Sequence, residues 1–387
     1  MRPRPTRATV PALGLGVLVG ALVGALVSGC SPTPPTAGGG TTTDGSTGSS
    51  ASSLSTTDAS GVPLPSPDPD AGRLGRAFLD RYVDADGRVV RHDQGGDTVS
   101  EGQAYALLVA VAVRDRDTFD RVWAWTREHL LRTDGRLAWR WDGAVVGQDS
   151  ASDADLDTAW ALAMAAHAFG SDDDARDAAA LGAALLDRAT APLPDGGRVL
   201  LAGSQGWMLP ATVNPSYFNP RGGAALQSLT GDTRWGEVAD GDRAVVRSLL
   251  DQVDYPPDWA RVAANGTVTP STWGDAATPA YGLDAARIGA RYAQSCAPDD
   301  QAVAASLWPR LRALGESPVG SYSVDGKPLV TWTNPLMWTS AAATARAAGD
   351  ADGFDRLLGA AQRADGYYPT YYGSAWIALT ALYTCRA

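Results

Sequence analysis

Histidine and cysteine are scarce in this 387-residue chain, which contains three of each. The histidines are scattered, and neither a His-Glu-x-x-His nor a Cys-x-x-Cys spacing occurs. These spacings are typical of metal sites in proteins. We therefore predict no metal site and no cofactor. His167 lies in an apolar stretch, and we interpret it as a core residue.

Basic residues are too few to balance the acidic ones. The 32 lysines and arginines stand against 43 aspartates and glutamates, which gives a formal net charge of −11. A chain of this charge is repelled by nucleic acids and by anionic membrane surfaces. A neutral polymer is a compatible partner.

The sequence lacks a hydrophobic run of the length that usually spans a membrane. An uncharged run of mostly apolar residues near the N-terminus covers residues 12–27, about sixteen residues, whereas a spanning helix needs about twenty. It follows three arginines and ends at Val27-Ser-Gly-Cys30, the form of a bacterial lipoprotein signal. We predict that residues 1–29 are removed, that Cys30 is lipidated, and that the exported protein is anchored to the membrane. A retained anchor helix is the alternative.

Large apolar residues are nearly absent from residues 30–72, which are dominated by Ser, Thr, Gly, Pro and Asp. Such a segment cannot bury enough surface to offset the entropy of ordering, so we predict a disordered linker. The remaining residues, 73–387, are enough for one large domain with its own core.

Two cysteines remain once Cys30 is assigned to the lipid. In an oxidising compartment Cys296 and Cys385 could form a disulfide, and two buried free thiols are the alternative.

The sequence does not decide whether the protein binds calcium. The stretch Asp84-Ala-Asp-Gly87 is similar to a calcium-binding loop, but it lacks the remaining ligand spacing and the closing glutamate.

Hydrophobic periodicity predicts about twelve helices after residue 71. Their expected ranges are 72–84, 101–113, 117–131, 155–169, 173–190, 217–230, 235–252, 280–295, 299–313, 337–348, 352–363 and 373–384. Helices paired at intervals of roughly fifty residues are typical of arrays of helical hairpins. We predict an all-α fold in which six hairpins close into a toroid, with short β-strands in the loops. An open solenoid is the alternative.

Carboxylates are concentrated where three of these helices begin. The stretch from Asp149 to Asp157 runs into one apolar helix, while Glu101 and Asp284 lie near the starts of two others that are expected to be amphipathic. Acids at such positions often act only as caps. In that interpretation Glu101 closes a capping box with Thr98, and Asp284 forms an exposed pair with Arg287.

The functional interpretation makes the same acids catalytic. A general acid must be protonated near neutral pH, which requires burial, and a general base must stay ionised. We favour a glycosidase that works through carboxylates. Asp153 and Asp155 could also be caps, and for Asp157 capping is the preferred interpretation. Asp275 is a weaker candidate base.

Tryptophan is abundant relative to phenylalanine, with thirteen Trp against five Phe. The flat face of Trp suits the C–H face of a sugar ring. Several aromatic residues lie in or beside expected loops, where they could line a groove: Trp139, Trp141, Trp207, Tyr217, Trp259, Trp273 and Trp332. Trp123, Trp160 and Trp376 lie within expected helices and are interpreted as core residues.

Five sequence blocks, in order, resemble those of glycoside hydrolase family 8. The blocks are Ser100-Glu-Gly-Gln-Ala-Tyr105, Ala151-Ser-Asp-Ala-Asp155, Asn214-Pro-Ser-Tyr217, Pro257-Asp-Trp259 and Leu283-Asp-Ala-Ala-Arg287. The resemblance extends over residues 72–385. It departs from the family pattern at Ala106, where Gly is usual, and at Leu283, where an aromatic residue is usual.

The resemblance implies an (α/α)6 barrel and hydrolysis with inversion at the anomeric carbon. It assigns Glu101 as the general acid, Asp284 as the general base, and Asp153 as the residue that holds a distorted sugar. Further residues are expected to bind substrate: Tyr105, Trp141, Asp155, Tyr217, Trp259 and Arg287.

The resulting hypothesis is an exported, monomeric endo-β-1,4-glucanase that acts on cellulose or a related β-glucan without metal or cofactor. Chitosan, xylan and lichenan are alternative substrates within the same resemblance. A glycan-binding lipoprotein without catalysis is a rival from another class, motivated by the departures at Ala106 and Leu283. A polysaccharide lyase is a second rival, but a lyase would need a basic cleft, and the motifs are acidic.

Overall fold

The computed structural model describes residues 68–203, 209–274 and 276–385. Within these ranges twelve α-helices account for most of the chain, which confirms the predicted all-α class. They are α1 (Pro69–Tyr82), α2 (Ser100–Ala112), α3 (Arg116–His129), α4 (Ser152–Phe169), α5 (Asp172–Arg188), α6 (Pro220–Thr230), α7 (Arg234–Leu250), α8 (Ala286–Gln294), α9 (Pro298–Ala313), α10 (Pro335–Ala347), α11 (Ala351–Tyr367) and α12 (Tyr371–Tyr383).

Short antiparallel strands occupy the loops, as the sequence predicts. They are β1 (Thr98–Val99), β2 (Arg140–Trp141), β3 (Val145–Gly147), β4 (Thr190–Pro192), β5 (Arg198–Leu200), β6 (Ala211–Val213), β7 (Trp259–Val262), β8 (Val268–Ser271), β9 (Ala280–Tyr281) and β10 (Tyr322–Ser323). In the described part of the chain they form two three-stranded sheets, β1-β2-β3 and β6-β7-β8, and two pairs, β4-β5 and β9-β10.

The even-numbered helices form a closed inner ring. Each packs against the next in chain order, from α2 through α4, α6, α8 and α10 to α12, and α12 packs against α2. The odd-numbered helices lie outside this ring, with α3 on α2, α5 on α4 and α11 on α10. The contact between α12 and α2 closes the toroid and excludes the open solenoid.

Burial separates the two layers. In outer helix α3 the buried residues recur every three to four positions, the pattern of a helix with one face on a core. Inner helix α2 is buried all round, and its one residue that is not buried is Glu101. The first fourteen residues of α4, 152–165, are likewise all buried. The expectation that Glu101 begins an amphipathic helix is therefore wrong, because α2 is packed on every side.

Three predicted boundaries are also wrong. Residues 280–281 form β9 rather than helix, and α8 begins only at Ala286, so Asp284 lies in the preceding turn. Helix α6 begins at Pro220 rather than at residue 217. The expected linker extends too far, because α1 begins at Pro69, where Asp68 accepts a hydrogen bond from the amide of Asp70 at 3.0 Å. Pro at the first helical turn and Asp at the cap are helix-starting residues.

The predicted signal peptide 1–29, Cys30 and the linker up to residue 67 lie outside the described residues. Among the helices that are described, none has the length and apolar character required to cross a membrane.

Four inner helices, α2, α4, α8 and α12, place their N-terminal ends together at one end of the barrel, the open end. Glu101 of α2, Asp153 of α4, Arg287 of α8 and Tyr371 of α12 are all within the first two residues of their helices, and they contact one another. The opposite, closed end holds a disulfide between Cys296 and Cys385, whose Cα atoms are 5.5 Å apart. A cavity of about 370 Å³ at this end is lined by residues of α1, α10, α11 and α12 and by Asp68 and Thr384.

Candidate active site

The guanidinium group of Arg287 joins three carboxylates at the open end of the barrel. Its Nη1 donates to Glu101 Oε2 at 3.1 Å and to Asp153 Oδ2 at 2.7 Å. Its Nη2 donates to Asp284 Oδ1 at 3.0 Å and to Ser216 Oγ at 2.7 Å. The Arg287 side chain is 1% exposed, so the carboxylates compensate a buried charge.

Glu101 is positioned by groups from two other helices. In addition to Arg287, Tyr371 donates its hydroxyl to Glu101 Oε1 at 3.2 Å. Thr98 instead donates to the carbonyl of Val89, and no side chain caps α2, so the capping-box interpretation is wrong. The Glu101 side chain is 22% exposed, which leaves an edge accessible from the cleft.

Burial raises the pKa of Glu101 to about 7. The charge of Arg287 opposes this shift, while the negative charges of Asp153 and Asp284 add to it. Glu101 is thus protonated in a large fraction of molecules near neutral pH, as a general acid must be.

Asp284 lies in the turn before α8, and two side chains hold its carboxylate. Arg287 binds one oxygen, and Asn214 Nδ2 donates to the other at 2.9 Å. The Asp284 side chain is 33% exposed and is open to the cleft. Its pair with Arg287 is not the exposed surface pair of the alternative interpretation, because the arginine is buried.

Glu101 and Asp284 therefore share one site. Two hydrogen bonds and the width of one guanidinium, roughly 8 Å in all, limit the distance between their bonded oxygens. Inverting glycosidases keep their two carboxyl groups about 6.5–9.5 Å apart, so that a water molecule fits between base and sugar. The arrangement is compatible with that geometry.

The three aspartates at the start of α4 have different surroundings. Asp153 bonds to Arg287 and is 2% exposed, so it is far less accessible than Glu101 or Asp284. Asp155 is fully buried, and it accepts hydrogen bonds from the amide of Leu137 and from Ser150. Burial raises the pKa of Asp155 to about 7.

The capping interpretation of Asp157 is wrong. Both of its oxygens bind Arg291, at 2.8 and 2.6 Å, and Asn219 also donates to one of them at 2.8 Å. Asp157 and Arg291 form an ion pair inside the barrel, and burial raises the pKa of Asp157 despite the arginine.

Three residues expected to bind substrate are instead buried supports. Asp155 and Arg287 bind protein groups as described above, and the hydroxyl of Tyr105 accepts hydrogen bonds from Arg287 and from Trp376, each at 3.2 Å. All three are fully buried. Asp155, Tyr105 and Arg287 have no exposed surface that a sugar could contact, which contradicts the prediction that they bind substrate directly.

Aromatic side chains lead outward from Asp284. The ring of Tyr217 lies over the Arg287 guanidinium, 5.2 Å from its centre. Trp259 meets Tyr217 edge to face at 6.2 Å and stacks on Trp273 at 5.0 Å. Trp273 is 52% exposed, so this row runs from the buried centre to the surface.

A second aromatic group lies near Glu101. Trp141 on β2 pairs with Thr98, three residues before Glu101. Its half-buried ring lies under the Arg88 guanidinium at 4.7 Å.

The other aromatic residues singled out from the sequence differ in exposure. Trp139 and Trp332 are exposed, as expected of groove residues. Trp123, Trp160 and Trp376 are buried, which confirms the prediction that they are core residues, whereas His167 is only half-buried. Trp207 and Asp275 lie outside the described residues.

Several site residues were not singled out from the sequence. Asn214 and Asp258 lie inside recognised blocks, but the aromatic residues of those blocks carry the stronger functional signal. Tyr371 and Tyr372 belong to a C-terminal stretch whose apolar character indicated only packing. Tyr372 lies 5.9 Å from the Arg287 guanidinium. Only the closure of the ring brings α12 beside Glu101, and local sequence carries no signal of that contact.

Within the described residues, no group of three or more His, Cys, Asp or Glu side chains is arranged to hold a metal ion. The chemistry that the described side chains provide is proton transfer: a carboxyl that holds a proton near neutral pH lies opposite a carboxylate that is held by Arg287 and Asn214.

Comparison with known proteins supports the resemblance to glycoside hydrolase family 8 that the sequence blocks indicate. The sequence profile of the glycosyl hydrolases family 8 matches residues 75–305. The chain is 33% identical over 234 residues to a probable endoglucanase of Novacetimonas hansenii, covering 57% of this chain and 67% of that protein. It is 30% identical over 217 residues to an endoglucanase of Cellulomonas uda, covering 54% of this chain and 59% of that protein.

A solved structure is similar over nearly its whole length. The endo-β-1,4-glucanase from Acetobacter xylinum superposes with a TM-score of 0.68 at 25% identity, covering 81% of this chain and 97% of that one. The barrel, the carboxylate site and the matched blocks lead to one conclusion. The chain belongs to glycosyl hydrolase family 8, and it is a glycosidase.

Proposed function

We propose that this glycosidase is an endo-β-1,4-glucanase that hydrolyses its substrate with inversion. The observation that carries the proposal is the pair of accessible carboxylates, Glu101 and Asp284, held by opposite nitrogens of the buried Arg287. The relatives named endoglucanase support the choice of a β-glucan.

Each residue has a role that its surroundings support. Glu101 protonates the glycosidic oxygen as the bond breaks, and its raised pKa keeps the proton available near neutral pH. Asp284 removes a proton from water, which attacks the anomeric carbon from the opposite face. Asp153 is 2% exposed and bonded to Arg287, so its surroundings support a role in holding that guanidinium beside Glu101, and the family resemblance alone assigns it to the sugar at the cleavage point. The row of Tyr217, Trp259 and Trp273 offers flat apolar faces on which successive sugar rings can stack.

The test replaces the acid and the base separately. We expect Glu101→Gln and Asp284→Asn each to lower the release of reducing sugar from carboxymethylcellulose by about 100-fold or more, since each removes one proton-transfer step. Glu128→Gln, on the exposed side of α3, is the matched control and should keep wild-type activity. Near-normal turnover by either site variant would overturn the proposal.

The stereochemistry and the substrate are tested directly. Hydrolysis of a β-linked oligosaccharide, followed by proton NMR, should release the α-anomer first, whereas first release of the β-anomer would contradict inversion. A panel of carboxymethylcellulose, lichenan, xylan and chitosan identifies the preferred polymer. Binding of glucan without any hydrolysis would favour the glycan-binding alternative.

We also propose that the mature protein is exported and anchored through a lipid on Cys30. The lipoprotein form of residues 1–30 supports this proposal. In bacteria grown with a radiolabelled fatty acid, the wild-type chain should be labelled and should sediment with membranes, and Cys30→Ser should not be labelled. Equal labelling of both chains would contradict the proposal.

A further inference from the structure

The carboxylate of Asp258 brackets the turn that carries Asp284. Its Oδ1 accepts a hydrogen bond from the amide of Gly282 at 3.0 Å and a second from the amide of Ala285 at 2.7 Å. These two amides lie on either side of Asp284 in the sequence. The Asp258 amide in turn donates to the carbonyl of Ala280 at 2.8 Å, so that Asp258 contacts the segment 280–285 at three points.

The Asp258 carboxylate provides a hydrogen-bond acceptor for the start of α8, which has no cap of its own. The first amides of a helix have no partner within the helix, and a neighbouring side chain usually caps them. Helix α8 has no side-chain cap of its own at Ala285. Because Ala285 is fully buried, water cannot replace the missing acceptor. The Ala285 amide therefore depends on Asp258.

Gly282 shows how closely the two segments fit. A Cβ atom at Gly282 would lie 2.4 Å from Asp258 Oδ2 and 3.1 Å from Oδ1. Atoms at that distance clash, so any side chain at residue 282 would force the carboxylate away from the turn. Glycine at this position therefore permits the two hydrogen bonds.

We infer that Asp258 is a positioning residue, which shapes the turn at 282–285 so that the Asp284 carboxylate meets Asn214 and Arg287. The inference rests on the proposed role of Asp284 as the base. A general base displaced by about 1 Å can lose two orders of magnitude in rate, so a turn held at both ends bears directly on catalysis. Asp258 itself acts through the backbone of its neighbours and not on the sugar.

The ionisation of Asp258 does not determine this role. Burial raises its pKa to about 7, and the negative charge of Asp284 adds to the shift, while the two amides and Arg287 oppose it. Burial raises the pKa of the neighbouring Tyr281, and the negative charge of Asp258 also helps to raise it. A neutral carboxyl keeps one oxygen that can accept both amide hydrogens, and the side-chain oxygen of asparagine can do the same.

The first experiment compares two substitutions at residue 258. We expect Asp258→Ala to lower kcat on carboxymethylcellulose by about 10- to 100-fold with KM changed less than about twofold, because the base is misplaced while the sugar sites remain. Asp258→Asn should restore at least half of the wild-type kcat. Asp254→Ala, an exposed residue of the same loop, is the matched control. Equal losses in Asp258→Ala and Asp258→Asn would overturn the inference.

A substitution at residue 282 keeps the test valid if Asp258→Ala is poorly folded, and if Asp258→Ala does fold the two substitutions complete a double-mutant cycle. Gly282→Ala in the wild-type background should lower kcat in the same way, because its Cβ displaces the carboxylate. In the Asp258→Ala background the same methyl group meets no carboxylate, so it should cost little further activity. Losses that multiply independently would contradict the inference, since coupled residues give non-additive effects.

The two proposals fail differently. An Asp284→Asn variant with near-normal turnover overturns the proposed function, whatever residue 258 does. An inactive Asp284→Asn variant together with wild-type kcat in Asp258→Ala overturns only the positioning role.

Discussion

Arg287 provides a single positive charge against three carboxyl groups, those of Glu101, Asp153 and Asp284. Three ionised carboxylates around one cation in a buried site would repel one another strongly. Protonation of one of them relieves that repulsion, and burial raises the pKa of Glu101 to about 7. The groups around Glu101 thus have two effects: Arg287 orients its carboxyl group, and burial with the nearby carboxylates favours its protonated form.

This charge balance gives a pH dependence with a defined sign. In the proposed mechanism Glu101 acts in its protonated form, so we expect kcat/KM to fall as pH rises through about 7. Asp153 is one of the negative charges that raise the pKa of Glu101. In an Asp153→Asn variant that charge is absent, and the fall in activity should move to lower pH. The residual activity across pH 4–9 measures the shift.

Asp352→Asn, in the exposed first turn of α11, controls for a general change of charge. It should leave the pH dependence unchanged. Movement of the Asp153→Asn curve to higher pH would contradict the proposed electrostatics, because removing a negative neighbour can only make Glu101 easier to ionise.

The sequence singled out Glu101, Asp153 and Asp284 because each lies in a motif whose neighbours are distinctive, and the structure places all three around Arg287. The sequence could not show which groups hold them. Besides Arg287, Asp284 bonds to Asn214, seventy positions away, and Glu101 bonds to Tyr371, 270 positions away. Such contacts arise from the closure of the ring, and hydrophobic periodicity carries no record of them.

At the scale of helices, hydrophobic periodicity predicted where the helices lie, but it did not predict which of them are buried on every side or where α8 begins. It did not separate the inner helices, which are buried all round, from the outer ones. It also extended α8 backwards over residues 280–285, because Tyr281 and Leu283 continue the apolar pattern. Pairing of β9 with β10 and the hydrogen bonds to Asp258 override that local preference.

At Gly102 in α2, tight packing and helix propensity predict opposite effects of a substitution by alanine. Alanine is normally favoured over glycine in a helix by about 0.5–1 kcal/mol. A Cβ atom at Gly102, however, would lie 2.9 Å from the Tyr371 hydroxyl, which bonds to Glu101. We expect Gly102→Ala to lower kcat by about tenfold through loss of that bond, without the usual gain in stability. Steady-state kinetics and chemical unfolding measure the two effects.

Gly359 is the matched control, in the middle of outer helix α11. The nearest atom to a Cβ there is the end of the flexible Arg363 side chain, at 3.3 Å. Gly359→Ala should raise the free energy of unfolding by about 0.5–1 kcal/mol and leave kcat unchanged. If Gly102→Ala also stabilised the protein at full activity, the close fit around Glu101 would be disproved.

At the scale of the whole molecule, the disulfide reinforces ring closure. Cys296 follows α8 and Cys385 follows α12, so the bond links the ends of two inner helices through cysteines that are 89 positions apart in sequence. It lies at the closed end, separated from Arg287 by about 10 Å of helix. Its contribution should therefore be to stability and not to the geometry of the site.

We expect the double variant Cys296→Ser/Cys385→Ser to lose about 2–5 kcal/mol of unfolding free energy, the range found for native disulfides. Its kcat at 25 °C should match that of the wild type. Guanidinium unfolding with and without a reducing agent measures the loss, and the reducing agent should affect only the wild-type chain. Unchanged stability, or a loss of kcat in the folded variant, would contradict this expectation.

Asp68, where the described part of the chain starts, and Thr384, near where it stops, border the same cavity at the closed end. A fusion partner, a purification tag or a solid support joined at either of these points would therefore be attached behind the barrel. A long, stiff polysaccharide could still pass across the front without obstruction.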